Sequence, residues 1–404
     1  MADRRVELLV VGGGLAGMAL ALACAEAGIE TALVDREDPA RLLDAGFDGR
    51  TTALAYASQR VLATLGLWPA LVAAAEPILE IRVADGDSRL FVHYDHRLAG
   101  PDPLGYIVEN RMLRRVLLER IATLPALHHL APLAVRSVAY GADFATADLG
   151  DGQNIRATLV AAADGHASPL REACGISCLA WSYPQTGIVC TVHHQEPHRG
   201  IAVEHFLPAG PFAILPMTGR RSSIVWTERA ELAPALLALD EASFARELGA
   251  RFGDYLGALA VAGPRWSYPL SFLLASRYGG PRLALVGEAA HVIHPIAGQG
   301  LNLGIRDVAA LAEIIVDARR LGLDIGAAAV IECYERWRRF DAVLLGAVTD
   351  GLNRLFSNTL PPLRLARDLG LAAVNQVKPL KRRFMQHAMG TLGTLPRLAR
   401  GERL

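Results

Sequence analysis

Residues 6–37 read VELLVVGGGLAGMALALACAEAGIETALVDRE. The apolar run Leu8 to Val11 has strand length, and Gly12, Gly14 and Gly17 follow it in G-x-G-x-x-G spacing. A small-residue helix and a second apolar strand ending in Asp35 come next. Glycine at the first position permits the turn, at the second lets a pyrophosphate approach the helix N-terminus, and at the third lets helix pack on strand. Asp35, 18 residues beyond Gly17, stands near where an acid binds a ribose hydroxyl pair. The order strand, turn, helix, strand, acid therefore predicts dinucleotide binding. The uncharged residues Leu8 to Ala25 also have the length of a signal peptide or membrane span, but the glycines at 12, 13, 14 and 17 disfavour both.

A chain of 404 residues is larger than one typical core, so two domains sharing an interface are expected, and 52% apolar residues can fill both. Lys+Arg and Asp+Glu are equal at 41 each, which argues against a nucleic-acid binder. From residue 351 onward, however, ten Lys/Arg face only two Asp/Glu. A basic tail on an acidic body points to a partner for the tail. The five cysteines are odd in number and scattered, as fits reduced thiols in the cytoplasm. Cys174 and Cys178 lie before His193 and His194, but no second close pair has zinc-like spacing, so no metal is expected.

Two further motifs follow. LVAAADGHASPLREACGI places an apolar strand before Asp164 and Gly165, with Ser168 as N-cap, Pro169 as first helical residue and Arg171 beyond. LVGEAAHVIHPIAGQGLNLGIRD, from Leu285 to Asp307, packs an acid, two histidines, a proline and four glycines between a strand and a helix. Its glycines stand where backbone N–H groups must come close to something. Between these motifs, GIAVEHFLPAGPFAILPMTGRRSSIVWTE shows short β-rich runs around a turn.

Together VVGGGLAG, AADGHASPLR and VGEAAHVIHPIAGQGLNLGIRD resemble the three fingerprints of the group A FAD-dependent aromatic monooxygenases, which have the para-hydroxybenzoate hydroxylase fold. Within that class, DGRTTALAYASQRVLATLGLW, YIVENRMLRRVLLERI, GRRSSIVWTE and TDGLNRLFSN are similar to the ubiquinone-biosynthesis hydroxylases, and the likeness runs from residue 6 to about 390. It implies an α/β fold: a discontinuous, Rossmann-like FAD-binding domain of residues 1–80, 107–180 and 275–345, an antiparallel-sheet substrate domain of 81–106 and 181–274, and a helical, basic C-terminal tail of 346–404.

Carried over, the resemblance assigns Gly12, Gly14, Gly17 and Asp35 to the ADP half of FAD, places Arg50 and Arg111 along the cofactor, and sets Asp164 by the pyrophosphate. Gly287 and Glu288 belong to the third fingerprint, where the family usually has Asp in place of Glu288, so an extra methylene must be accommodated if that carboxylate is to accept a ribityl hydroxyl. A helix beginning near Gly298, Gly300, Leu301 and Asn302 would offer free N–H groups and about half a positive charge to the N1 and C2 carbonyl of reduced flavin. Pro295 would fix the turn beside the reactive edge, and His291 and His294 would either touch cofactor or substrate or simply pack. The catalytic candidates are His294, Pro295 and Gly298.

The implied reaction is hydroxylation of the ring of a polyprenylated phenol in ubiquinone biosynthesis. NAD(P)H would reduce FAD, molecular oxygen would add at flavin C4a, and the distal hydroperoxide oxygen would pass to the ring. Phenols ionise near pH 10, so a base or positive field is expected, with His194, His205 and Tyr183 in the right region. Phe206, Phe212, Leu215, Pro216 and Trp226 are candidates for the substrate wall, or for ordinary core. A polyprenyl chain, costing about 0.8 kcal/mol per CH₂ to expose, would bring the enzyme to the inner face of the membrane through its basic tail. No uninterrupted apolar span supports a transmembrane anchor. Two other readings remain open: a soluble hydroxylase of a small phenol, and a FAD-holding scaffold in a complex with other ubiquinone-biosynthesis proteins.

Overall fold

The computed structural model describes residues 4–44, 49–86, 91–150, 152–358, 367, 370 and 373–404. Five strands form a parallel sheet in the order Leu283–Leu285, Asn154–Ala162, Arg4–Val11, Thr31–Val34 and Leu127–Leu130. Their apolar runs are continuous rather than alternating, as strands covered on both faces require. Helix Leu15–Glu26 is apolar all round and is buried from Gly17 to Ala25, which places it inside the molecule. The uncharged run at the amino terminus is thus strand, turn and helix.

The strand ends are in register. Val11 lies beside Val34 on one side and Ala162 on the other, and Ala162 lies beside Leu285. The ladder continues one residue further: Gly12 N–H donates to Val34 O, Ala163 N–H to Val11 O, and Val286 N–H to Ala162 O. Gly12, Asp35, Asp164 and Gly287 therefore leave one edge of one sheet side by side.

The second large sheet has eight strands in the order His291–Val292, Leu259–Ala275, Cys178–His194, Arg221–Arg229, Gly210–Met217, Ile201–Leu207, Glu80–Asp85 and Phe91–Asp95. Six of its seven pairings are antiparallel, as expected; Ile201–Leu207 and Glu80–Asp85 run parallel. A parallel pair needs a crossover rather than a hairpin, and here the chain supplies one by passing through the first sheet between them. One face of this sheet, with Ile188, Phe212, Ile214 and Trp226, packs under helix Glu241–Phe252. The other face carries Ala202 and Phe206 towards a three-stranded sheet of Thr51–Ala55, Gly105–Glu109 and Ala75–Ile78 and towards the turn at Ile296. Phe212 and Trp226 are therefore core on the far face, and Pro216 follows Ile214 in the same phase. Phe206 and Leu215 lie on the near face.

Helix Ala328–Phe356 runs unbroken through residue 346, where the tail was expected to begin. Its buried positions Val330, Ile331, Tyr334, Arg338, Ala342, Leu345, Thr349, Asn353 and Phe356 keep helical spacing throughout, so nothing ends it there. Helices Lys378–Ala388 and Arg397–Arg400 follow. The last of these docks on the body: Arg397 pairs with Asp317 at 2.5 Å and Leu398 is buried. Part of the tail's charge thus answers acids of the same chain. Among the described residues no helix is long and apolar enough to cross a membrane.

Candidate active site

The three glycines of the first motif do three different things. Gly12 has φ +108°, and a Cβ there would fall 2.3 Å from Ala163 O on the neighbouring strand. A Cβ on Gly17 would fall 1.9 Å from Gly12 O, so the helix rests directly on the turn. Around Gly14, the N-cap of Leu15–Glu26, a Cβ would meet nothing within 4 Å. The first-turn amides beyond Gly14 have no partner within the helix and open onto that space. Next to them, a Cβ on Gly13 would lie 2.2 Å from Asp35 Oδ2, which puts the acid against the glycine loop.

In the second motif Ser168 caps its helix by accepting from Arg171 N–H at 3.1 Å. Arg171, itself buried, donates to Ala289 O at 3.0 Å and His166 O at 2.9 Å, which ties the second motif to the third. Asp164 Oδ2 accepts from Leu170 N–H at 3.3 Å, while Oδ1 is buried without a partner among the described residues. Burial, opposed by the Ser168 and Leu170 hydrogen bonds, raises the Asp164 pKa above the usual carboxylate value.

The third motif turns twice through left-handed backbone. Gly287 has φ +61° and sits between Ala16 and Gly304, where helices Leu15–Glu26 and Gln299–Arg320 touch. Glu288 is exposed within an otherwise buried run from Arg282 to Ile293, broken only at Val292. After Pro295, Ala297 and Gly298 adopt φ +57° and +60°, and helix Gln299–Arg320 starts with Gly298 as N-cap. A Cβ on Gly300 would meet nothing within 4 Å, as at Gly14. Asn302 behaves differently. Its fully buried side chain accepts from Ala55 N–H at 2.8 Å and donates to Ala53 O at 2.7 Å and Gly298 O at 3.1 Å. The amide group is spent on the strand Thr51–Ala55, which leaves only backbone to face a ligand.

The two histidines separate. His291 Nε2 lies 2.5 Å from Asp307 Oδ2, and Arg338 Nε donates to Asp307 Oδ1 at 2.9 Å, all three groups buried. Burial pushes the Asp307 carboxyl up, but His291 and Arg338 outweigh it and hold the pKa below the ordinary value. Gly287 N–H also donates to Asp307, so this network braces the turn. His291 is a bracing residue. His294 is fully buried, neither ring nitrogen has a partner among the described residues, and burial lowers its pKa to about 4. It packs edge-on against Tyr183, 5.0 Å between ring centroids.

Sequence reasoning missed Asp307 and Arg338. The one available signal was an aspartate in the buried phase of an apolar helix, which demands a partner. Arg111 pairs with the buried Glu109 at 2.6 Å, and Arg221 reaches the same carboxylate at 3.3 Å. Arg50 is exposed beside Gly49, whose Cβ would strike the Trp266 ring. Of the candidate bases, His194 is committed at both nitrogens, to Glu196 O and Ser222 Oγ. Tyr183 donates to Asp350 at 2.9 Å, and burial raises its pKa. His205 pairs in register with Phe212, on the face away from the turn.

The parts suit FAD. Two helix starts and glycines that leave room where a side chain would block approach are what an anionic pyrophosphate and an electron-rich ring would require. The family described as FAD binding domain matches residues 5–336. The ubiquinone hydroxylase UbiL of Rhodospirillum rubrum is 55% identical over 403 residues, covering 99% of this chain and 94% of that protein. The 3-demethoxyubiquinol 3-hydroxylase of Escherichia coli is 34% identical, covering 96% of this chain and all of that protein. The crystal structure of p-nitrophenol 4-monooxygenase PnpA from Pseudomonas putida shares the fold with a TM-score of 0.80 at 19% identity, over 97% of this chain and 100% of the other. Fold and site together define an FAD-dependent monooxygenase. Within that class, the chain belongs to the family of the ubiquinone-biosynthesis hydroxylases.

Proposed function

We propose that this chain hydroxylates an aromatic ring carbon of a prenylated phenol in ubiquinone biosynthesis, with molecular oxygen as oxidant and NAD(P)H as electron donor. The row of strand ends carrying Gly12, Asp35, Asp164 and Gly287 is the observation that supports this reading most directly. Bound FAD supplies electron storage and oxygen activation. Gly12, Gly14 and Gly17 admit its pyrophosphate to the helix start, and Asp35 takes the adenosine ribose. Arg50 and Arg111 lie along it, Asp164 stands by the pyrophosphate, and the exposed Glu288 reaches the ribityl chain across the open side of the third motif. The backbone N–H groups of Gly300, Leu301 and Asn302 balance charge on the ring, while the N–H of Gly298 is donated to Pro295 O and closes the turn. Pro295 shapes the reacting edge, and His294 lines it as a neutral imidazole. The division into a discontinuous FAD-binding domain, a substrate domain and a tail belongs to the same proposal.

The partner for the tail is a membrane surface. Helix Lys378–Ala388 anchors itself with buried Met385, and Met389 follows it into the same cluster. Val377, Leu380 and Phe384 are exposed beside the exposed Lys378, Arg382 and Arg383. Exposed apolar and basic groups on one helix fit an anionic lipid surface, where a polyprenyl substrate resides. Assembly with other ubiquinone-biosynthesis proteins is compatible with the same surface.

The test is to reduce the purified yellow protein anaerobically, add a prenylated phenol and isotopically labelled oxygen, and analyse the product by mass spectrometry. One labelled oxygen atom on the ring is expected. A chain that takes up no FAD, or holds FAD without ring labelling, overturns the proposal.

A further inference from the structure

Glu204 lies on strand Ile201–Leu207, between Ala202 and Phe206 on the face towards the cofactor-side elements. Phe206 packs against Ile296 and Phe356, so this stretch of sheet stands directly over the turn after Pro295. The left-handed backbone at Ala297 aims its N–H at the Glu204 carboxyl. The side chain is partly exposed, and among the described residues no cation pairs with it. A carboxylate left without a cation on a largely apolar face is costly to keep ionised unless something is gained by it.

We infer that Glu204 is the catalytic base of the hydroxylation, placed over the turn to take the proton of the substrate phenol. This rests on the function proposed above and names a group for it. In the step, the phenol O–H bond breaks, a carboxyl O–H bond forms, and the electron pair stays on the phenolate oxygen to activate the ring. The proton leaves with the water formed in each turnover, which returns Glu204 to its carboxylate. Burial, against a smaller lowering by the Ala297 amide, brings the Glu204 pKa up to about 7, closer to that of a phenol than an ordinary carboxylate.

Charged groups on the surrounding elements are already matched. Asp85, further along the sheet, pairs with Arg367 at 2.8 Å. Asp350 on the long helix is held by Tyr183 and by Arg354. His294 on the turn is neutral above about pH 4, and His205, next along the strand, points to the opposite face. Glu204 is the group in this neighbourhood set to titrate near neutrality.

The test compares wild type with Glu204→Gln, which keeps an acceptor for the Ala297 amide. The enzyme's FAD is reduced with dithionite and mixed with oxygen and 2-prenylphenol, and product per turnover is followed from pH 5 to pH 9, either side of the about 7 expected. Wild-type rate should rise through that region; the variant, with its FAD retained, should be about 100-fold slower and lose the rise. On 2-prenyl-4-nitrophenol at pH 9, where that phenol is ionised in solution, wild type and variant should differ little. An unchanged rate and pH profile in Glu204→Gln, or an equal loss on both phenols, overturns the assignment of Glu204 alone. Wild type that hydroxylates neither phenol overturns the proposed function itself. Should the Gln variant not fold, Glu204→Asp must keep a pH-dependent rise at reduced rate; its disappearance counts against the proposal.

Discussion

Helices Leu15–Glu26 and Gln299–Arg320 both start on glycines and touch through Ala16, Gly287 and Gly304, yet they are put in place by different means. The first start is a steric object. Gly12, Gly17 and Ala163 meet backbone on backbone, and every contact that matters lies within the motif or on the adjacent strand. The second start is tethered by polar side chains from far along the chain: Asn302 to strand Thr51–Ala55, and Asp307 to His291 and Arg338. A loop that only has to bind needs shape. A loop beside the reacting ring needs an imposed position, and buried hydrogen bonds impose one.

The contrast can be broken most forcefully at Arg338. Arg338→Leu leaves Asp307 buried with His291 alone, and should cost about 3–5 kcal/mol in urea unfolding, with weakened flavin binding. If stability holds, the second start is not tethered as described.

The pH dependence of folding distinguishes the same two regions. His294 has a pKa of about 4 in the fold against an ordinary 6.5, so the unfolded chain binds a proton that the folded one refuses. Stability should therefore fall as pH drops from 6.5 towards 4, by about 3 kcal/mol at the lower end, and His294→Leu should flatten that slope.

Asn302→Ala strips the strand of its side-chain partner and should cost about 1–3 kcal/mol, with FAD affinity falling more than stability accounts for. The smallest effect on folding sharpens the comparison most. Gly14→Ala and Gly300→Ala enter open space, so thermal stability of the FAD-free protein should change by less than about 0.5 kcal/mol. FAD affinity, read by fluorescence titration, should drop about tenfold or more in each, which is about 1.4 kcal/mol. Unaltered affinity in both would show that neither helix start receives the cofactor.

Much of this was readable beforehand, for a local reason. The glycine motif states much of its own geometry because Gly17 rests on Gly12 O five residues before it, and the Ser168 cap is likewise a three-residue event. The roles of Asn302 and His291 were not readable, because their partners are strand Thr51–Ala55 and the pair Asp307 and Arg338, and no spacing rule links them. Glu204 looked like any polar residue of an alternating strand.

What the residues determined alone is the nucleotide-binding edge: local turns, caps and apolar runs whose energetics involve near neighbours. What only the tertiary structure decided is which polar groups are left unmatched around that edge. Whether a carboxylate is neutralised, braced or left facing the turn depends on which distant side chains reach it, as Arg338 reaches Asp307 and no described cation reaches Glu204. Electrostatics in a low-dielectric interior is set by such encounters in space, and a linear order of residues does not contain them.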